Sequence, residues 1–513
     1  MVPIPIMSTF IAYLIFMVIV GIITYKMTYT LDDYVLAGRG LNKWVAAMSA
    51  QASDMSGWLL LGLPGAAYAS GMGQWSIWMC IGLATGTMLN WQFIAKKLRA
   101  YTELAGDSIT LSEFFSNRFR DKSEVLRIVS ALFILVFFLF YTASGLVAGG
   151  KLFESFLGVD YYLALTIGTI VILIYTFVGG FIAVTWLDFV NGILMFFALI
   201  IAPIGVVSHL GGLSDVFAEI GSINPDLLDI TRGVNYNYTD DIFWESTGPI
   251  GAIGIISALA WGLGYFGQPH ILARFMAIKS LRAIKTSRLI AVIWVVLTLM
   301  GASMVGFMGI SIFGEEAPLY DSEWVFLELV PLIFNPWIAG ILLAAVLAAI
   351  MSTVDSQLLV SSSALTQDFY RRFLRKDATE KELVWGGRIS VLIITLIAYY
   401  LAWEEGHVLE LVEYAWAGFG ATFGPAVIAS LFWKRTTRNG ALAGIVVGGL
   451  TVILWEILGT PFGLYEIVPG FILSLVAIII FSLIDDEPSQ EILEEFERSQ
   501  ELSQPGAELP EKE

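Results

Sequence analysis

The sequence predicts an all-α polytopic membrane protein with thirteen transmembrane helices, of which the second and the seventh are broken. The chain has 513 residues, of which 57% are hydrophobic and 14% are charged. A soluble domain has about 25% charged residues. Thirteen apolar runs approach or exceed the roughly 20 residues that cross a bilayer. Two of them contain polar residues, glycines and prolines that a lipid-facing helix would not carry.

The thirteen runs follow one another through residues 1–484, which we interpret as one transmembrane domain. They lie at 8–27, 43–70, 75–95, 126–157, 161–181, 188–210, 249–275, 290–313, 336–365, 383–403, 408–433, 441–458 and 468–484. No basic residue precedes the first run, so we expect a retained helix rather than a signal peptide. Residues 485–513 are acidic and are expected to form a disordered cytoplasmic tail.

The positions of lysine and arginine predict the orientation of these spans. If the N-terminus lies outside, 26 of the 28 basic residues fall in inner loops or the tail, and only Lys151 and Arg232 lie toward the outside. Loops on the cytoplasmic side of a membrane carry an excess of basic residues. The sequence therefore predicts a multi-pass plasma-membrane protein with an external N-terminus and a cytoplasmic C-terminus.

Span two carries the most unusual polar stretch, residues 49–58, which includes the acidic side chain of Asp54. An ionisable residue at membrane depth usually marks a functional polar site inside the protein. Gly57, Pro64 and neighbouring glycines make a continuous helix unfavourable here. Unwound backbone at this depth lines an enclosed cavity, where its carbonyls are able to bind a cation. The alternative is a packing face of small residues with one tethered carboxylate.

Span seven contains a second interruption, because residues 260–270 read AWGLGYFGQPH. Paired broken helices in two halves of a chain are typical of transporters built from inverted repeats. The two breaks are five spans apart, and an odd number inverts the second half in the membrane. Residues 43–210 and 249–433 are therefore predicted to form a 5+5 inverted repeat, with spans one, twelve and thirteen at the periphery. Packing of small residues is the alternative.

Span nine supplies hydroxyl groups that suit a monovalent cation. Ala349, Ser352 and Thr353 have the spacing i, i+3, i+4, which places one carbonyl and two hydroxyls on the same helix face. Together with carbonyls of unwound span two, such as those of Ala52 and Met55, they offer about five neutral oxygens. Without a broken neighbour, such hydroxyls usually make interhelical hydrogen bonds.

Three aromatic residues, Tyr141, Trp261 and Tyr265, are candidates for a small apolar slot. Aromatic packing or an interfacial belt is the alternative for each of them singly. Asp188 and Asp355 lie near predicted membrane edges, where each is either a transport group or a snorkelling or ion-paired group.

Composition and motifs exclude several classes of function. A net charge of −17 does not support nucleic-acid binding, and one cysteine cannot form an intrachain disulfide. The sequence lacks a Walker-type phosphate loop, a Gly-x-Ser-x-Gly elbow and a pore filter. We therefore expect neither an enzyme nor a cofactor. A passive facilitator and a membrane sensor are the alternative functions. A facilitator would not accumulate its solute against a gradient, and a sensor would bind a ligand without transporting it.

Long motifs in this chain resemble the sodium/solute symporter family, and its bacterial proline-transporting members in particular. Two family signatures are matched by residues 175–186 and 434–444, and motifs of the proline branch by residues 52–60, 261–276, 335–340 and 414–420. The resemblance implies a leucine-transporter-like fold and sodium-coupled uptake of L-proline by alternating access, with at least one Na⁺ moved inward with each solute. A sodium symporter for another amino acid, a compatible solute or pantothenate is the alternative.

The resemblance also implies roles for individual residues. Sodium would be bound by the Ala52, Met55 and Ala349 carbonyls with the Ser352 and Thr353 hydroxyls. Asp54, Asp188 and Arg39 would contribute to sodium coupling. Proline would lie near Ser56, Gly57, Tyr141, Trp261, Tyr265 and Pro269.

Two positions depart from the family pattern. Leu187 replaces the threonine of many relatives, which weakens the case for a second sodium site near Asp188. Asp355 replaces a small or hydroxyl residue, and it either tunes cation affinity or faces the cytosol.

Overall fold

A computed structural model describes residues 3–25, 36–178, 181–239 and 243–504, and the described chain is mostly helical. Parts of the predicted first inner loop, two glycines of the first signature and the end of the predicted tail lie outside these residues. The first nine helices are α1 Ile4–Tyr25, α2 Lys43–Ala52, α3 Leu63–Ser70, α4 Met79–Leu89, α5 Ala95–Leu104, α6 Leu111–Arg118, α7 Val125–Leu157, α8 Tyr161–Val178 and α9 Phe181–Leu210. The others are α10 Leu213–Ile223, α11 Ala252–Ala260, α12 Pro269–Met276, α13 Ala283–Phe313, α14 Val325–Ile333, α15 Pro336–Ser363, α16 Glu380–Leu401, α17 Val408–Phe432, α18 Arg438–Ile457, α19 Ile467–Ile484 and α20 Gln490–Leu502.

Eight helices within the described residues are long and apolar enough to cross a membrane, and all eight coincide with predicted spans. They are α7, α9, α13, α15 with its continuation to Leu374, and α16 to α19. Burial separates these helices into a centre and a periphery. The most apolar windows of α15 and α17 are 83% and 89% buried, whereas those of α18 and α19 are 39% and 33% buried. The centre of the protein is therefore formed around α15 and α17.

The second predicted span is interrupted between α2 and α3. Helix α2 begins after Asn42, whose side chain accepts hydrogen bonds from the backbone N–H groups of Trp44 and Val45. It ends at Ala52, and the chain then makes a short turn in which the N–H of Ser56 bonds the Asp54 carbonyl. A π-helical segment, Trp58–Gly62, leads into α3. The polar stretch of the sequence therefore coincides with a break in the helix.

The seventh predicted span is broken as well. Helix α11 passes into a 3₁₀ segment, Trp261–Gly267, and Gln268 is extended with φ −75° and ψ 108°. Helix α12 then begins at Pro269, where the missing N–H of proline costs no intrahelical bond. The glycines of the 3₁₀ segment allow close approach, because a Cβ on Gly262 would lie 2.3 Å from the carbonyl oxygen of Gly82 on α4.

The start of span two and the end of span seven meet on one face of the protein, which we call the basic face and define by Arg39, Lys96, Lys97, Arg99 and Arg118. There the N–H of Leu41 donates to the carbonyl of Ala277 at 3.1 Å, just after α12. The opposite face carries a two-stranded antiparallel hairpin, β1 Arg232–Tyr236 and β2 Trp244–Pro249.

The C-terminal segment differs from its prediction. Residues predicted to be disordered instead form α20 and pack on the basic face. Phe496 is 6% exposed and lies 6.3 Å from the ring of Tyr101, while Glu495 pairs with Arg120 at 2.6 Å. The expectation of a disordered tail is therefore wrong for Gln490–Leu502, because the burial of an aromatic face compensates the cost of ordering it.

Candidate functional site

The sodium-binding residues predicted from two distant segments lie together at the break in span two. The Ser352 hydroxyl donates to the Ala52 carbonyl at 2.8 Å and lies 3.1 Å from the Ala349 carbonyl. The Thr353 hydroxyl lies 3.3 Å from the same Ala52 oxygen. These side chains are at most 1% exposed. Helix α15 thus presents two hydroxyls to a carbonyl at the end of α2, and four of the five predicted oxygens are neighbours.

Met55, the fifth predicted sodium-binding residue, follows directly in the turn. Its N–H donates to the Gln51 carbonyl at 2.8 Å, which tightens the chain after Ala52. Both polar atoms of the buried Gln51 side chain lack hydrogen-bond partners among the described residues. Buried polar atoms of this kind cost about 1–3 kcal/mol each when unpaired. A water or a transported species that formed hydrogen bonds with these two atoms would remove that cost.

Asp54 connects the two breaks. Its backbone carbonyl accepts hydrogen bonds from the Tyr141 hydroxyl at 3.0 Å and from the Trp58 indole at 3.1 Å. Its carboxylate accepts a bond from the Tyr265 hydroxyl at 2.8 Å, across 211 positions of the sequence. The other carboxylate oxygen, Oδ1, is buried without a partner among the described residues. Asp54 therefore shapes the turn by its backbone and joins span seven by its side chain.

The predicted aromatic residues are all fully or almost fully buried and form one group around the breaks. The Trp261 ring lies 6.3 Å from Trp58, 6.4 Å from Trp416 and 5.5 Å from Tyr465. The carbonyl of Trp261 accepts a 2.7 Å bond from the Trp416 indole, which fixes α17 to the 3₁₀ segment. Aromatic rings in such tilted and offset-stacked arrangements give a rigid apolar wall.

Ser56 and Gly57 lie at the start of the π-helical segment. The Ser56 hydroxyl accepts a bond from the N–H of Trp58 at 3.3 Å. A Cβ on Gly57 would lie 2.6 Å from the Cβ of Ala148 and 3.1 Å from Ile350, so only glycine allows α7 and α15 to approach here. Close packing therefore accounts for glycine at position 57.

Pro269 lies at the C-terminal end of the break and lines a narrow cavity of about 20 Å³, large enough for roughly one water. The cavity extends from α12 between α7 and α15 toward Thr110 and Asp368. It therefore leads from the broken region in the direction of the basic face.

Asp188 forms a second buried polar cluster, with a partner that the sequence did not indicate. Its carboxylate accepts bonds from the Arg274 guanidinium at 3.1 Å and the Ser49 hydroxyl at 2.6 Å. Arg274 also donates to the Ser356 hydroxyl at 2.5 Å. The cluster joins α2, α9, α12 and α15. Asp188 is fully buried and ion-paired, and does not snorkel at a membrane edge.

Asp355 is 1% exposed, and its carboxylate accepts a hydrogen bond from the Thr176 hydroxyl. The alternative in which it faces the cytosol is therefore wrong. Leu187, at 1% exposure, is a core side chain of α9.

Arg39 lies on the basic face rather than with the hydroxyls of α15. It is 6% exposed, pairs with Asp107 at 3.0 Å and donates to the carbonyl of Met276 at 2.8 Å. Because Met276 ends α12 and Arg39 precedes α2, this side chain fastens the two broken spans to each other.

A further ion-paired cluster lies at the other end of α7. The Lys151 ammonium contacts Asp321 at 2.6 Å and Glu323 at 2.7 Å. Glu323 also accepts bonds from the N–H groups of Val408 and Leu409 at the start of α17. The ammonium already supplies the cation for these carboxylates, so we assign no metal to them.

Sequence reasoning assigned no role to Arg274, Ser49, Ser356 or Asn90. The Asn90 amide donates to the Tyr265 carbonyl at 2.9 Å and so supports the 3₁₀ segment. Each is a polar residue in an apolar run, which is the signal that identified Asp54. Their partners lie far away in the sequence, and spacing alone does not reveal them.

The sequence profile of the sodium:solute symporter family matches residues 34–448 of this chain. The sodium/proline symporter of Escherichia coli is 49% identical over 498 residues, which cover 96% of this chain and 95% of that protein. The high-affinity proline transporter of Bacillus subtilis is 48% identical over 482 residues, covering 94% and 98%. The resemblance found in the motifs thus extends over nearly the whole sequence.

A solved structure of a Na⁺-coupled sialic acid symporter, in a substrate-bound outward-open state, has a similar fold. The TM-score is 0.76 at 19% identity, with 95% of this chain and 99% of that chain covered. At this identity the similarity concerns the fold.

Proposed function

Because the chain belongs to the sodium:solute symporter family, we propose that it takes up L-proline together with Na⁺ by secondary active transport. The relatives that are 49% and 48% identical are a sodium/proline symporter and a high-affinity proline transporter. The observation that carries the proposal on the structural side is the contact of Ser352 and Thr353 with the Ala52 carbonyl. Na⁺ is the coupling ion, proline is the solute, and the protein is a transporter rather than an enzyme.

We place Na⁺ between the end of α2 and the middle of α15, among the oxygens of Ala52, Met55, Ala349, Ser352 and Thr353. In the structure the two hydroxyls direct their hydrogens at or near the Ala52 carbonyl. When Na⁺ binds, these hydroxyls rotate and present lone pairs, and the ion replaces the hydrogen bonds as the link between the two segments. Hard cations favour such oxygen sets.

Proline is proposed to bind beside the same break, near Ser56, Gly57, Tyr141, Trp261, Tyr265 and Pro269. The turn after Ala52 carries both the sodium carbonyls and the start of the solute site, so ordering it for one ligand favours the other. Such coupling is reciprocal: Na⁺ raises the affinity for proline and proline raises the affinity for Na⁺. Asp54 stabilises the turn and joins it to Tyr265.

The membrane architecture that we propose has thirteen spans, with residues 43–210 and 249–433 as inverted repeats. The equivalent breaks at Ala52–Trp58 and Trp261–Pro269 support it, since broken helices at corresponding positions are typical of this architecture. The basic face is placed in the cytoplasm of a bacterial cell, with the N-terminus outside and the C-terminus inside. Alternating access then exposes the site first to one side and then to the other.

The energetics are sufficient for one coupling ion. Moving one Na⁺ inward through a potential of about 100 mV releases ~2.3 kcal/mol. A tenfold sodium gradient adds ~1.4 kcal/mol, and the total supports a proline gradient of roughly 500-fold.

The test is uptake of labelled L-proline into proteoliposomes that contain the purified protein, with an inward gradient of Na⁺ or of K⁺ as control. Uphill accumulation with Na⁺ and none with K⁺ is the expected result. Equilibration without accumulation would identify a passive facilitator instead. Accumulation of another amino acid, a compatible solute or pantothenate in preference to proline would contradict the solute assignment.

A further inference from the structure

The imidazole of His270 is fully buried, and neither of its ring nitrogens has a hydrogen-bond partner among the described residues. A neutral imidazole carries one N–H donor and one acceptor nitrogen. Burying both without partners is unfavourable, and buried polar groups in native proteins are normally satisfied. The missing partner therefore lies outside the described chain, as a water or as a transported solute.

The position of His270 favours the solute. The residue follows Pro269 at the start of α12, and its ring lies 5.9 Å from that of Tyr141 at an angle of 80°. The hydroxyl of Tyr141 is bonded to the Asp54 carbonyl at 3.0 Å. His270 is thus separated from the break of span two by a single aromatic ring that we place in the solute site.

Unpaired donors in the broken part of span seven indicate an anionic group of the solute. The indole N–H of Trp261, which is only able to donate, is buried without a partner among the described residues. Helix α12 begins at Pro269, so the N–H groups of His270 and Ile271 have no partner within the helix. The start of a helix favours negative charge.

Unpaired acceptors are also present, as a zwitterion requires. Oδ1 of Asp54 and Oε1 of Gln268 are both buried without partners among the described residues. The two N–H groups of the Gln268 amide are occupied, by the carbonyls of Gly264 and Trp416 at 3.2 Å each. Proline carries one carboxylate and one secondary ammonium group, and the region offers both donors and acceptors.

We propose that His270 is a further solute-binding residue, whose imidazole N–H donates a hydrogen bond to the carboxylate of the transported amino acid. The inference rests on the proposed function, because it assigns one end of the solute of that site. This hydrogen bond from His270 would make the protein selective for solutes with a free carboxylate. An amide or an ester at the same position accepts a weaker hydrogen bond than a charged carboxylate.

The test compares L-proline with L-prolinamide, which lacks the carboxylate, as competitors of labelled proline uptake in proteoliposomes. Wild type should prefer proline to prolinamide by at least tenfold. His270→Phe should raise KM for proline about tenfold, reduce the preference to about twofold or less, and leave the sodium requirement at saturating proline unchanged. His270→Gln retains an N–H donor and should restore most of the preference.

His407→Phe is the matched control, because it makes the same chemical change at an imidazole that is 53% exposed. It should leave both KM and the preference at wild-type values. A thermal-unfolding midpoint close to wild type identifies folded variants, and His270→Ala replaces the phenylalanine variant if that one does not fold.

A preference for proline that survives in folded His270→Phe or His270→Ala overturns the inference, and water then remains as the partner of the imidazole. Loss of sodium dependence in the variant, with KM for proline unchanged, overturns it as well. Failure of the proposed function is a different result, since wild type itself would then show no sodium-driven accumulation of proline.

Discussion

The hydroxyl oxygen of Ser352 lies 2.8 Å from the carbonyl oxygen of Ala52, although 300 residues separate them in the sequence. One partner is a side chain in the middle of α15, one of the two central helices, and the other is the last backbone carbonyl of α2, a helix that stops within the membrane domain. The contact therefore joins a continuous helix to the break in span two. We propose that the coupling ion binds here, because an ion between these two oxygens would link the two helices.

Removing either hydroxyl of α15 should weaken sodium binding selectively. In Ser352→Ala and Thr353→Ala, one ligand oxygen is lost, and we expect the Na⁺ concentration for half-maximal uptake to rise about tenfold or more, which corresponds to ~1.4 kcal/mol. The control is Ser362→Ala, because among the described residues the buried Ser362 hydroxyl bonds only the carbonyl of Leu359 in its own helix. Unchanged sodium dependence in both site variants would remove the assignment of the cation site.

Trp261 should act on the solute rather than on the ion. We expect Trp261→Ala to raise KM for proline by about tenfold or more, because it removes an aromatic wall, while the sodium requirement changes much less. Trp261→Phe keeps part of that wall, so its KM for proline should lie between those of the wild type and Trp261→Ala. Trp337→Ala, at a side chain that is 57% exposed, is the control. A larger effect on sodium than on proline would place the solute pocket elsewhere.

The ion pair of Asp188 and Arg274 should matter greatly for stability. Asp188→Asn leaves a buried guanidinium without its counter-charge, and we expect a loss of about 3–5 kcal/mol, seen as a lower midpoint of thermal unfolding in detergent. The double variant Asp188→Asn/Arg274→Gln should be less destabilised, since no uncompensated charge remains.

The matched control for that pair is Glu382→Gln, which breaks an exposed ion pair with Arg375. The side chains there are 59% and 30% exposed and 3.5 Å apart. An exposed pair contributes less than about 1 kcal/mol. Equal loss of stability in the single and double variants of Asp188 would show that charge compensation is not the reason for the pair.

The aromatic anchor of α20 should hold the C-terminal helix on the basic face. We expect Phe496→Ala to release it, with a loss of about 2 kcal/mol of docking free energy, since truncating a buried phenylalanine in a core costs roughly 3–5 kcal/mol. Limited proteolysis within Gln490–Leu502 measures the release. The control is Glu497→Ala, at a side chain that is 62% exposed. Equal cleavage rates in the two variants would contradict the role of Phe496.

The same helix should remain docked in mild acid. Burial raises the pKa of Glu495, although Arg120 and Arg118 oppose the shift. A carboxyl whose pKa is raised in the docked state favours that state when it is protonated, so lowering the pH through the raised pKa strengthens docking. Cleavage that increases as the pH falls from neutral would contradict this sign.

The sequence allowed prediction of both breaks, because Asp54, the glycines and Pro269 violate the rules of a lipid-facing helix wherever they stand. The spacing of Ala349, Ser352 and Thr353 likewise predicted which helix would face the first break. Partners could not be predicted in the same way. Arg274 lies 86 residues from Asp188, and only the folded arrangement of α9 and α12 brings the two charges together.

The C-terminal helix was missed for a different reason. Its acidic composition resembles that of a disordered tail, whereas Ile492, Phe496 and Ser499 have the i, i+4, i+7 spacing of one helix face. Composition averages over the segment and hides that face, and the basic residues that receive the helix lie nearly 400 positions earlier.

Glu323 has a consequence for how this sequence is able to diverge. Its carboxylate pairs with Lys151 and also accepts hydrogen bonds from the first N–H groups of α17. One side chain therefore connects its own segment to α7 and to α17. A change at that codon leaves the Lys151 ammonium with Asp321 as its remaining carboxylate and removes the acceptor of two backbone amides at once. Descendants that lose the glutamate therefore need another acceptor at the start of α17, and residue 151 is the position where an accompanying change of charge is expected.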